Sequence, residues 1–359
     1  MAEIDRYFQT LLQWGGSDLH LQQGQPPKVR VHGRIMPLES EVLTEQKITR
    51  MMREICVPNR WEKFLKTGDL DFAYAHEGFA RFRANFHKQV HGMGAVFRHI
   101  PTLIKTIDEL GLPKVLKFFA MLRAGLVLVT GPTGSGKSTT LAAIINHIND
   151  HTSQHVVTIE EPIEFVHANK KSVIAHREVG LDVPSFQEGL YTVNRQDADI
   201  VLVGEMRDQE TIHLALQAAA KGTLVFATLH TNSASKSVDR IIDAFDPEEQ
   251  DQIRALLADV LKGVCAQLLF RTPDGDGRRA CHEVLVSTSG LAASIRDGNS
   301  ANIRNIIQAG KRLGMQTMDD SIVAHLEKRL IHPQDAYLKA LDKQRVRPLV
   351  ERMGYTLPI

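Results

Sequence analysis

Residues 131 to 138 read Gly131-Pro132-Thr133-Gly134-Ser135-Gly136-Lys137-Ser138. The spacing G-x-x-x-x-G-K-[ST] is that of a phosphate-binding P-loop, a motif that works only between a buried strand and the start of a helix. Both flanks are present. Leu126 to Thr130 is an apolar run of buried-strand type, and Ser138 to Ile145 reads as the first turns of a helix. A polyphosphate would then meet the N–H groups of a helix N-terminus. The glycines let successive backbone N–H groups face it with no Cβ in the way. Lys137 supplies a charge for the β- and γ-phosphates, and the Ser138 hydroxyl a ligand for Mg²⁺. A chance match in a glycine-rich turn would not bring the flanks with it. The expected ligand is ATP with Mg²⁺.

Around this loop the hydrophobic pattern divides the chain. Residues 3 to 14 are predicted helical. Lys28 to Val31 and Arg34 to Met36, joined by His32-Gly33, read as a tight hairpin. Residues 44 to 66 resume a helical pattern. Strands follow at 71–75, from Phe79 to Phe86, and at 94–99. In the middle one Ala80, Phe82, Ala84 and Phe86 share a face, with Phe79, Arg81, Arg83 and Asn85 opposite. This gives an α+β domain over 1–100 and, with Pro101, a linker over 101–114 that could act as a hinge. From 115 to 359 strand and helix alternate, the signature of an α/β parallel sheet. Its predicted core strands are 126–130, 156–160, 200–204 and 224–228. A helix is expected from Asp246 as N-cap, with Ile253, Leu256, Leu257, Val260, Leu261 and Val264 as its apolar stripe. A hairpin is expected around 272–277, and helices over the last 60 residues.

Three strands end in groups suited to hydrolysis. Asp199 to Gly204 leads into Glu205, the candidate for polarising the attacking water; in P-loop enzymes such a strand lies beside the P-loop and delivers a carboxylate towards Mg²⁺ and that water. Val156 to Ile159 leads into Glu160, Glu161 and Glu164, which repel one another unless a cation or solvent relieves them. Mg²⁺ would do so; a solvated acidic turn is the plain alternative. Leu224 to Leu229 leads into His230, at the strand end where ligands gather in open α/β sheets, although a lone histidine is commonly structural. Arg81, Arg83 and Arg98 are ordinary surface arginines unless one of them reaches a phosphate.

Composition limits the other classes. Lys and Arg number 43 against 42 Asp and Glu, a formal net charge of +1, so no global footprint for nucleic acid is visible. Cys56, Cys265 and Cys281 are far apart and form neither a CxxC pair nor a zinc set. They fit a reducing compartment. The N-terminus carries acids and does not read as a signal peptide. No apolar run has the length of a membrane span.

Taken together, GPTGSGKST at 131–139, TIEEPIEF at 158–165, RQDADIVLVGEMRD at 195–208 and TLHTNSA at 228–234 resemble the Walker A, Asp-box, Walker B and His-box of the secretion ATPases. That superfamily includes type II secretion and type IV pilus motors. SDLHL at 17–21, PPKVRV at 26–31, RFRAN at 81–85, GAVFR at 94–98 and NIRNII at 302–307 extend the resemblance towards the pilus retraction branch. Two departures stand out. Thr223 replaces the usual first histidine of the His-box, and Glu161 the usual aspartate of the Asp-box. The tetracysteine motif of extension ATPases is missing.

The resemblance implies a RecA-like P-loop ATPase domain behind a smaller N-terminal PAS-like domain. It implies a homohexamer that powers pilus retraction from the cytoplasm at the inner face of the membrane. Partners would be an inner-membrane platform protein, the pilin polymer indirectly and a retraction paralogue. It also assigns roles: Gly131 to Thr139 as the phosphate cradle; Ser138, Glu160 and Glu164 for the metal or its waters; Glu205 for water; His230, Arg81 and Arg98 for sensing the γ-phosphate. The alternatives are an accessory retraction paralogue, a related secretion ATPase, or a nucleotide-binding regulatory subunit with little turnover.

Overall fold

The computed structural model describes residues 2–31, 33–76, 80–100, 103–275 and 277–355. The expected turn at His32, Phe79 and the Pro101-Thr102 step lie outside the described residues. The chain forms two compact units, Met1–Leu103 with Glu161–Val166, and Ile104–Glu160 with His167–Ile359.

The first unit is built on strands Asp18–Gln22 (β1), Lys28–Val31 (β2), Arg34–Pro37 (β3), Asp69–His76 (β4), Ala80–Gln89 (β5) and Gly92–Ile100 (β6). They form one antiparallel sheet in the order β3-β2-β1-β6-β5-β4. The alternation in β5 does what its pattern requires. Ala80, Phe82, Ala84 and Phe86 are buried, and Phe82 stacks on Phe8 of helix Asp5–Gln13 with ring centroids 4.0 Å apart. The helical pattern over 44–66 is two helices, Glu45–Glu54 and Pro58–Thr67. The break is local chemistry: a residue before proline is pushed out of the helical region, and Val57 sits at ψ 149°.

The second unit carries Gly125–Thr130 (β7), His155–Glu160 (β8), Val173–Glu178 (β9), Ile200–Val203 (β10), Leu224–Leu229 (β11), Leu261–Arg271 (β12) and Arg278–Val286 (β13). Their order is β13-β12-β7-β11-β10-β8-β9, parallel except for β13, which runs against β12. Strands β7 and β11 are buried along their whole length, as expected for a parallel sheet covered on both faces.

Two corrections concern the stretch before β12. Residues 246–249 form a turn, closed by Glu249 N–H donating to the Asp246 carbonyl, and the helix itself is Gln250–Val260. Leu261 and Val264, read as part of the helical stripe, belong to β12. A short buried apolar run has no periodicity that separates helix from strand, so the neighbour β7 decides. The stretch read as a linker also contributes to packing: Ile107 and Leu112 are buried in the core of the second unit.

Candidate functional site

The parallel sheet brings the predicted groups to one edge. In β8, β10, β11 and β7 the C-terminal ends lie side by side, with Ile159 opposite Val203, Val203 opposite Ala227 and Leu229 opposite Thr130. Glu160 stands at the end of β8, and Glu205, His230 and the P-loop follow the ends of the other three. The strand of Glu205 is not adjacent to the P-loop strand; β11 lies between them. The loop ends are stitched across it. Gly204 N–H donates to Ile159 O at 2.8 Å, Met206 N–H to Thr228 O at 3.1 Å, and Gly131 N–H to Leu229 O at 3.2 Å.

In the P-loop, Gly131, Gly134 and Gly136 have φ of 148°, 75° and 89°, the region L side chains avoid. Helix Lys137–His151 begins directly after Gly136. Lys137 Nζ donates to the carbonyls of Gly131 at 2.8 Å and Pro132 at 3.3 Å, so its amine lies over the loop where phosphate oxygens would compete for it. Ser138 and Thr139 are half-buried in the first helical turn, while Pro132 and Thr133 are exposed at the loop tip.

Glu205 is the centre of an ion cluster. Its Oε1 lies 2.9 Å from His230 Nε2 and its Oε2 2.8 Å from Arg207 Nη2. Burial works to raise its pKa. The Arg207 hydrogen bond and the charges of His230, Arg207 and Lys137 outweigh that and hold it below the usual carboxylate range. A carboxylate so held is ionised at neutral pH, and suits orienting a water better than taking its proton. Arg207 was not among the sequence candidates. The signal was its place two residues after Glu205, within reach along an extended turn.

The other predicted groups stand in the first unit. Arg81 Nη2 donates to the Ile163 carbonyl at 3.2 Å, so the acidic segment Glu161–Val166, with Glu164, is held by β5. Arg98 Nε donates to Asp18 Oδ1 at 2.9 Å, while most of its guanidinium stays in solvent. Thus Glu160 ends β8 in the second unit, and Glu164, four residues on, packs with the first.

Behind the P-loop lies a buried polar group with no sequence signal. Gln267 of β12 touches Ser135 and Thr140, and His282 of β13 touches Gln267. These contacts span long sequence separations, which spacing does not reveal.

Among the described residues, no three His, Cys, Asp or Glu side chains cluster as a metal cage. Mg²⁺ keeps waters and phosphate oxygens and takes few protein ligands. A hydroxyl at 138 with carboxylates near the same sheet edge is such a donor set.

Known proteins resemble this chain over most of its length. Residues 4–331 match the family described as type II/IV secretion system protein. The type IV pilus retraction ATPase PilT of Pseudomonas aeruginosa is 44% identical over 326 residues, 91% of this chain and 94% of that protein. A twitching motility protein of Neisseria gonorrhoeae is 42% identical over 89% of this chain and 85% of its own. A crystal structure of the pilus retraction motor PilT with bound ADP superposes with a TM-score of 0.89 at 36% identity, covering 97% of this chain and 99% of that one. With a P-loop, acid-tipped strands at the same sheet edge and a matched span from residue 4 to 331, the chain belongs to the type II/IV secretion system protein family.

Proposed function

We propose that this protein is an Mg²⁺-dependent ATPase motor that drives type IV pilus retraction, working as a homohexamer at the cytoplasmic face of the inner membrane. The observation that carries the reading is the cluster of Glu205, His230 and Arg207 beside Lys137, at one edge of a parallel sheet, in a chain 44% identical to a retraction ATPase. The homohexamer, the platform protein, the pilin polymer and a retraction paralogue as partners rest on that likeness. Among the described residues no helix is long and apolar enough to cross a membrane.

The residues divide the work between them. The backbone from Gly131 to Thr139 binds the phosphates, and Lys137 exchanges its loop carbonyls for β- and γ-oxygens. The metal, when bound, neutralises charge that develops on those oxygens. Ser138 would hold it, with Glu160 and Glu164 reaching it or its waters. Glu205 accepts a hydrogen bond from the attacking water and sets its line of approach. His230 is bonded to Glu205 and responds to the presence of the γ-phosphate. The likeness to retraction ATPases assigns the same role to Arg81 and Arg98.

Glu205→Ala should lower steady-state ATP turnover by on the order of a hundredfold while nucleotide still binds. Turnover close to wild type would refute the role of Glu205. Deleting the gene and imaging pili tests the biological part. Stalled, unretracted pili are expected, and bald cells would exclude retraction.

A further inference from the structure

A phosphate cradle works only if its peptide planes are held in one orientation. Ser135 and Gly136 share a trans peptide, in which the carbonyl and the following N–H point to opposite sides. The Ser135 carbonyl accepts a hydrogen bond from Gln267 Nε2 at 2.5 Å. With that carbonyl turned onto β12, the Gly136 N–H is turned away from β12. The β12 side of the loop is filled, so the opposite side is the one left for phosphate.

Gln267 is itself fixed. It is buried, at 2% exposure. Its Oε1 accepts from Thr140 Oγ1 at 2.7 Å and faces His282 Nε2 at 3.1 Å. An amide oxygen only accepts, so His282 carries its proton on Nε2. Burial supports this by holding the ring neutral, with its pKa pushed down to about 3. The amide therefore cannot flip without leaving two buried donors unpaired and setting its own NH₂ against them. The backbone adds a second constraint. A Cβ on Gly131 would run into the Gln267 carbonyl, and one on Gly136 would lie 2.8 Å from Gln267 Nε2. One residue thus abuts both glycines that frame the loop.

We propose that Gln267 is the positioning residue of the phosphate cradle, locking the Ser135–Gly136 peptide in its binding orientation while Thr140 and His282 lock Gln267. This rests on the ATPase reading above. Gln267→Leu keeps the volume and removes the donor. Its Kd for ADP should weaken about tenfold, since a lost buried hydrogen bond also strands its partners. KM for ATP should rise by a similar factor with kcat within about twofold, because the cradle grips ground state and transition state alike. Thr140→Val leaves Gln267 in place but removes one of the two groups that orient it, and should weaken ADP by about threefold. If Gln267→Leu does not fold, Thr140→Val decides. Variants that bind ADP within about twofold of wild type, or that lose kcat with Kd unchanged, overturn the assignment. A wild-type chain that binds no ADP would instead bring down the ATPase reading itself.

Discussion

At the scale of single residues, charge placement separates groups of the same type. Glu205 and Glu283 are both glutamates at least half-buried. Arg207, His230 and Lys137 hold the first below the usual range, whereas burial pushes the second up despite hydrogen bonds from Ala234 and Met318 N–H. His282 gives the clearest pH consequence. Burial, and then the charge of His325, push its pKa down from 6.5 to about 3. Between those values the unfolded chain binds a proton that the folded chain refuses, so stability falls as pH falls from about 6.5 towards 3. His167, pushed down to about 4 by burial and by His176, adds to the same limb. Urea titrations over that window should show His282→Gln with a shallower loss, by up to about 1.4 kcal/mol per pH unit. Parallel acid limbs would mean that His282 is not buried neutral.

Among elements, β12 carries the most weight and was the least legible. Its apolar residues, from Leu261 on, continue without a break the stripe of helix Gln250–Val260, and no proline or glycine pair marks the change. Tertiary pairing with β7 and β13 makes it a strand, and its start is irregular, with a register shift between Leu261 and Gly263. There the Phe119 ring of helix Val115–Ala120 takes the space where a Cβ on Gly263 would stand. Phe119 is fully buried and has nowhere to go. Gly263→Ala should therefore destabilise by about 1–3 kcal/mol, the usual cost of overpacking, as read by equilibrium unfolding in urea. An unchanged midpoint would show that the helix yields. By contrast β5, β7, β8, β10 and β11 were readable, because strict alternation, or a short apolar run tipped by polar groups and bounded by turns, suits a strand far better than a helix.

Over the whole molecule, the division into two compact units sets the expectation for ligand effects. Trp14 and Trp61 both belong to the first unit, while the P-loop, Glu205 and His230 belong to the second. Nucleotide at about 100 times its Kd stabilises the state that binds it by about 2.7 kcal/mol. ADP should then raise the thermal midpoint read by circular dichroism more than the one read by tryptophan fluorescence. Equal shifts would mean that the chain melts as one cooperative body. The sequence by itself determined the nucleotide loop, the acid-tipped strands and the α/β class, because those depend on neighbours in the chain: glycine spacing, apolar runs and helix starts. Only the tertiary structure decided that β11 separates Glu205's strand from the P-loop strand, that His230 pairs with Glu205, and that Gln267 braces the loop. These are contacts fixed by strand order and burial, and no local spacing encodes which distant residue arrives.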